Sequence, residues 1–406
     1  VTVADVAPAG RRARSLALVA GCLALVGHTV VLALWPDAHL LLIDLQVYRA
    51  GAAHLLAGQP LYAGGVLLDL PFVYPPFAAV AFVPMVTLPL PALKMLWTAG
   101  TLALLAWIGA RGLRSLGLPA GPRLAWSTAG VVVLATWLDP VRTTLYLGQI
   151  NVVVAALVIG DLLGRPDSRW RGVGVGLAAA LKLTPLLFIG YLLVLRRWRA
   201  AATAAAVFGL AGLIGAVCAP HDSLAYWWRG TFAAAGRISD VAATTNHSWL
   251  GALARTAGED SLVARVGYPV GAVVLVLATL AVAAREHRRG RPLLATTLCG
   301  LCSAAAAPFA WSHHWVWFVP LALVLGHRAT TGNRVAATLL GVVLAGTVAM
   351  ITALPGPGVG PVPRTSLISL WPDTYLLLFV IVLVAVAVMQ RGPAGDRRGL
   401  AGIVGR

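Results

Sequence analysis

Apolar residues in this chain come in long blocks separated by short polar or arginine-bearing intervals. The blocks fall at 15–35, 76–90, 91–110, 124–143, 149–164, 172–195, 200–219, 261–284, 292–309, 313–327, 335–353 and 371–390. A block near twenty residues is what a helix needs to cross the hydrocarbon core of a bilayer. The pattern therefore predicts an all-α integral membrane bundle of about twelve transmembrane helices, with both ends of the chain on one side. It would form a single polytopic domain over 15–390, between short tails at 1–14 and 391–406.

The polar intervals give the bundle a direction. Two long ones, 36–75 and 220–260, are expected on the outer side, and 354–370 is a Pro/Gly-rich connector. In the first, DLQVYRAGAAHLL (44–56) suits a short helix on the membrane surface, and GQPLY (58–62) breaks it. The arginine-rich termini and the clusters at 196–199, 285–291 and 327–334 fall together on the inner side, as positive charge in membrane proteins does. Residues 111–123 and 165–171 break the rule in this count. Some middle blocks are therefore expected to be half-helices or re-entrant hairpins, foremost 172–195, which Pro185 interrupts. No internal repeat of the kind found in many transporters is visible.

Composition excludes several classes. Hydrophobic residues are 59% and charged residues 11% of 406, too apolar to cover a water-facing surface. The net charge of +17 would suggest nucleic acid, but the 31 Lys and Arg sit in clusters between apolar runs, not along one polar face. The first block follows Arg11, Arg12 and Arg14 like a signal peptide, yet its length suits a retained helix. Cys22, Cys218, Cys299 and Cys302 lie in or beside apolar runs. Cys299 and Cys302 form a CxxC with no second pair and no histidine at zinc spacing, so the cysteines read as small core residues.

Candidate chemistry collects at block edges. Asp44 ends a leucine-rich approach with Tyr48 and Arg49 close behind: it is either a general base with a cationic companion or the N-cap of the surface helix. PFVYPPF (71–77) is a rigid aromatic entry to the second block, where Tyr74 sits at headgroup level. Lys182, in LKLTP, is a charge within an apolar run. A lipid-linked phosphate would explain it, as would snorkelling from two half-helices. Gln149 and Asn151, in GQIN, could bind sugar hydroxyls or tie helices together. Asn246, His247 and Arg255 belong to a polar, aromatic stretch (TTNHSW, 244–249) suited to a sugar. WSHHWVW (311–317) offers His313, His314 and Trp315. Adjacent histidines diverge by about 100° on a helix and cannot both face one metal, which leaves acid–base work or phosphate binding.

Taken in order, DLQVYR, GQPLY, FVYPPF, GQIN, KLTP, NHS and SHHW resemble the GT-C membrane glycosyltransferases, spanning about residues 37–320. More narrowly, they resemble the actinobacterial polyprenyl-phosphate-sugar-dependent family that contains the α-(1→2)-mannosyltransferases of phosphatidylinositol mannoside and lipomannan synthesis. The resemblance implies a GT-C-like bundle of about twelve helices with periplasmic loops and short interfacial helices, in the plasma membrane. It implies a catalytic aspartate in the first outer loop, here Asp44, with His313 for acid–base work. Lys182, Arg255, His314 and Arg49 would hold the donor phosphate, and Tyr48, Tyr74, Gln149, Asn151, Asn246, His247 and Trp315 the sugar or acceptor. The expected donor is polyprenyl-phosphate-mannose and the acceptor a mannosylated glycolipid, with a monomer sufficient and no nucleic acid involved. No cofactor or metal is expected: there is no DxD motif, and Asp37 is seven residues from Asp44. Transfer of arabinofuranose from its polyprenyl phosphate would use the same residues. A lipid or solute transporter is the rival of another class, disfavoured because the polar groups gather in outer loops.

Overall fold

The computed structural model describes residues 42–165, 167–237, 239–349 and 371–390. The first apolar block, Cys22, Asp37, the 354–370 connector and both tails lie outside those residues. Helix α1 (Ile43–Leu56) leads into a two-stranded antiparallel hairpin, β1 (Gly65–Leu67) and β2 (Leu70–Pro71), and then a short helix, α2 (Pro76–Ala81). Next come α3 (Leu90–Ser115), α4 (Pro122–Ala135), α5 (Asp139–Leu147), α6 (Asn151–Leu162), α7 (Val173–Leu181), α8 (Leu186–Val194) and α9 (Trp198–Cys218). The second polar interval holds α10 (Pro220–Trp227) and α11 (Trp249–Ala257). α12 (Leu262–Arg288), α13 (Pro292–Ala305), α14 (Phe318–Thr330), α15 (Arg334–Ala349) and α16 (Thr374–Met389) complete a helical bundle.

The expected count of about twelve transmembrane helices is not what forms. Among the described residues, four helices are long and apolar enough to cross a membrane: α3, α9, α12 and the stretch Trp371–Met389 that includes α16. The α4–α5 pair, bent by 80°, makes a fifth if it counts as one span. The other blocks are apolar without being continuously helical. Block 76–90 gives way after α2 to a 3-10 turn containing Pro84, and block 124–143 bends where Pro140 enters the first turn of α5. Blocks 149–164 and 292–309 yield helices of 12 and 14 residues, and 313–327 opens as a 3-10 turn. Hydropathy counts residues, whereas a span needs unbroken steps of about 1.5 Å across roughly 30 Å.

Block 172–195 is a hairpin. Its arms, α7 and α8, have nine residues each, and the chain turns at Lys182, whose backbone is extended, before Pro185 starts the second arm. Both arms return to the same end of the bundle. Gly172, before α7, lies so close to α9 that a Cβ there would sit 2.2 Å from the Ala200 carbonyl oxygen; its φ of +102° also favours glycine. On α8, the Tyr191 hydroxyl is 2.9 Å from His287 Nδ1 near the end of α12.

That hairpin resolves the charge anomaly in the sequence. Arg111 donates to the Leu163 carbonyl (2.8 Å), Arg171 to the Leu162 carbonyl (2.6 Å), and Leu116 shares a cavity with Arg291, His327 and Arg328. The buried Glu286 carboxylate gathers Arg289, Arg291 and Arg328 at 3.2–3.4 Å and accepts from Gln390 Nε2 at 2.9 Å, tying α12, α14 and the end of α16 together. The arginine clusters thus converge on one pole. The lipid-facing character of the long helices is visible on α12, where Val266, Val270, Val273, Val274 and Leu277 are each more than half exposed.

Candidate active site

The opposite pole is built on α1. Leu42, fully buried, holds a left-handed backbone (φ 59°) just before this helix, fixed by its N–H bond to the Tyr146 carbonyl (2.9 Å) at the end of α5. Gly148 closes α5 with φ +73°, and a Cβ there would lie 2.9 Å from Leu45 and 3.0 Å from Leu42. A glycine at this position is what lets α5 approach α1, and it delivers Gln149 to Asp44.

Gln149 Nε2 donates to Asp44 Oδ2 at 2.5 Å. The orientation of that amide is set from behind: the hydroxyls of Tyr48 (2.9 Å) and Tyr74 (3.2 Å) donate to Gln149 Oε1, so the nitrogen must face the carboxylate. Tyr48 and Tyr74 are buried, 2.9 Å apart through their hydroxyls, and Tyr48 stacks on Phe82. Burial pushes the Asp44 carboxyl up to about 6, against the opposing pull of the Gln149 amide and the positive Lys182. At pH 7 it is mostly ionised yet basic enough to accept a proton.

Lys182, at the hairpin tip, donates to Asn151 Oδ1 at 2.8 Å and lies 5.7 Å from the centre of the Tyr74 ring. A small cavity joins Asn151, Thr184 and Pro185 to His314, Ser303 and Trp317. The 3-10 turn Ser312–Trp315 sets the His313 and His314 rings 4.7 Å apart under Trp311, side by side rather than diverging as on a helix. Both ring nitrogens of the buried His313 and Nδ2 of Asn151 have no partner among the described residues. The geometry therefore combines a carboxylate raised by burial, a lysine that burial lowers to about 7, and several open donors.

Other residues singled out from the sequence stand apart. Arg49 is turned away from Asp44 and reaches the carbonyls of Met85, Val86 and Leu88 at 3.3–3.5 Å, because five residues along a helix is about 140° round its axis. Arg255 pairs with Asp373 and donates to the Ala243 and Asn246 carbonyls (2.8 Å each). Asn246 is fully buried and satisfied by backbone, bonding Val241, Ser248 and Ala310. His247 Nδ1 meets the Pro372 carbonyl at 2.6 Å, and burial lowers the imidazole to about 4. Trp315 is buried against Phe318 and Tyr375. Arg255, Asn246 and His247 hold the second polar interval onto the bundle through these bonds, while Arg255 Nε and Trp315 Nε1 are buried without a partner among the described residues.

Asp139 escaped sequence analysis. It is 5% exposed, bonds Arg142 (2.9 Å) and Thr143 (3.1 Å) on its own helix, and accepts from the Tyr375 hydroxyl (2.8 Å) on α16. An acid inside an apolar block with arginine three residues on was the available signal. Among the described residues, no group of three His, Cys, Asp or Glu could hold a metal ion.

The profile of Glycosyltransferase family 87 matches residues 72–308. The chain belongs to this family. It is 40% identical, over 76% of its length and 75% of the relative's, to the polyprenol-phosphate-mannose-dependent α-(1-2)-phosphatidylinositol mannoside mannosyltransferase of Mycobacterium tuberculosis. The protein of the same description from Mycolicibacterium smegmatis is 37% identical over 87% of this chain and 86% of its own. A pentamannoside mannosyltransferase of M. smegmatis, also polyprenol-phosphate-mannose-dependent, is 35% identical over 74% and 75%. No solved structure matches. This family 87 member is thus a multi-pass membrane glycosyltransferase of GT-C type. Its matched segment takes in Tyr74, Gln149, Asn151 and Lys182 but begins after Asp44.

Proposed function

We propose that the protein transfers mannose from polyprenyl-phosphate-mannose to a hydroxyl of a mannosylated phosphatidylinositol, making an α-(1→2) linkage with inversion. The observation that carries the chemistry is that Asp44, held by Gln149, and Lys182, held by Asn151, flank the same residue, Tyr74, which bonds Gln149 and lies under the Lys182 ammonium. The donor and acceptor follow the relatives, all of which are named for that donor and for phosphatidylinositol mannosides.

In this reading the acceptor oxygen attacks C1 of the donor mannose as the bond from C1 to the phosphate oxygen breaks. Asp44 takes the hydroxyl proton, and the departing polyprenyl phosphate gathers its charge against Lys182 and the imidazole donors of the 312–315 turn. Both substrates are lipids held in one leaflet, so the membrane supplies much of the proximity. The arginine pole faces the cytoplasm and the Asp44 pole the periplasm, following the positive-inside rule. The whole described bundle acts as one domain.

The test is sugar transfer by purified protein to a mannosylated phosphatidylinositol, comparing polyprenyl-phosphate-mannose with polyprenyl-phosphate-arabinose. Mannose transfer that disappears in Asp44→Asn is the expected result. Arabinose transfer would replace the donor, and mannose transfer surviving in Asp44→Asn would remove the base.

A further inference from the structure

A cavity of about 840 Å³ lies away from Asp44, between α3 and α6 at the arginine pole. Its walls are Leu104, Trp107, Val153 and Leu157, and its mouth is formed by Arg165, Ser168, Trp170 and Arg171. From Val153 to Gly164 it follows the chain for about 16 Å at helical rise, roughly half of a 30 Å hydrocarbon core. Its depth is therefore that of one leaflet. Gly160 keeps it open beside Trp107, whose ring would lie 2.9 Å from any Cβ at that position.

The charge at the mouth is net positive, Arg165, Arg169 and Arg171 standing against Asp161 and Asp167. Asp161 also lines the cavity, but its carboxylate accepts the Gly172 (2.9 Å) and Val175 (3.0 Å) N–H groups and so is spent on the start of α7. Arg171 donates to the Leu162, Gly164 and Arg165 carbonyls, leaving its buried Nε without a partner among the described residues. Arg165 is exposed and makes no ion pair among them. Trp107 and Trp170, 42% and 65% exposed, stand where tryptophans anchor at the edge of hydrocarbon.

We infer that this groove is a binding site for an anionic glycerophospholipid of the leaflet at the arginine pole, one acyl chain lying along α6 and the phosphate at Arg165 and Arg171. An apolar trough one leaflet deep, headed by basic and aromatic side chains, fits that molecule in length and charge. The site is separate from the sugar-transfer site and does not depend on the reading given for it.

The full-length protein is reconstituted in phosphatidylcholine bilayers containing a minor fraction of lipid brominated in its acyl chains, either phosphatidylglycerol or phosphatidylcholine. The quenching of Trp107 is obtained by difference from Trp107→Phe. Brominated phosphatidylglycerol should quench this component about fivefold more effectively, the preference one arginine near a membrane surface supplies. In Arg165→Gln the preference should fall to near one, with sugar transfer retained as evidence of folding. Equal quenching by both lipids in the unmodified protein would mean a boundary lipid only and overturn the inference. So would a preference that survives Arg165→Gln unchanged.

Discussion

Gln149 stands between Asp44 and two tyrosines, and replacing it by leucine separates two roles that an amide in a sugar site could have. The substitution removes the 2.5 Å bond to Asp44 Oδ2, while Tyr48 and Tyr74 keep their mutual contact at 2.9 Å. A hydrogen bond to a charged group contributes about 1.5–3 kcal/mol, and one pKa unit corresponds to about 1.4 kcal/mol. Loss of the bond to the ionised carboxylate should therefore raise Asp44 by about 1–2 units, from about 6. The active base is the ionised form, so activity is lost as pH falls through the pKa and the variant loses it earlier. At pH 7 the ionised fraction should drop from about nine-tenths to between one-tenth and one-half. The assay is kcat/KM for mannose transfer in detergent, across pH 5 to 9. The expected profile has its acid limb displaced upward, with the plateau at high pH recovered to within a few-fold. An unmoved limb with a lowered plateau or raised KM would refute the reasoning and return Gln149 to direct contact with sugar.

Four further outcomes are expected. Lys182→Met should lower kcat by about 10²–10³, the loss typical of one transition-state donor, while donor binding measured separately weakens less. Lys182→Arg should not restore the rate, because a planar guanidinium cannot replace a point charge at the same depth. Tyr375→Phe leaves Asp139 Oδ2 unpaired and should reduce stability by about 1–3 kcal/mol, read from thermal unfolding in detergent, with transfer by the folded fraction little changed. Exhaustive treatment with a divalent-metal chelator should leave transfer intact; a rate restored only by added metal would remove the metal-independent displacement.

The sequence made the polarity of the molecule legible, because arginine clusters and longer polar intervals of mixed charge mark the two poles directly. It also marked the weak point of the middle region: Pro185 and two arginine intervals on the wrong side pointed to half-helices or a re-entrant hairpin, and α7 and α8 form a hairpin. Helix number was not legible, since hydropathy does not register where a helix stops, as at Pro140 or before the 3-10 turn at Ser312. At the site, residue type marked Asp44 and Lys182 because charge in apolar surroundings is rare. Partners were a different matter. Arg49 is near Asp44 in sequence and directed elsewhere in space, whereas Gln149, 105 positions away, holds the carboxylate. Arg255 and His247 carry the chemistry of a binding site and serve to fasten α11 and its approach to the start of α16.

The hairpin that presents Lys182 hangs from the arginine pole, while Asp44 rides on a helix at the other. The two halves of the proposed reaction are thus carried on elements rooted at opposite ends of the bundle, and the reach between them is a length of nine residues in each arm. One residue removed from a single arm would swing the tip by about 100° and withdraw it by about 1.5 Å. The arm lengths are therefore a gauge, measured from the arginine end of the bundle, for the level at which Lys182 stands.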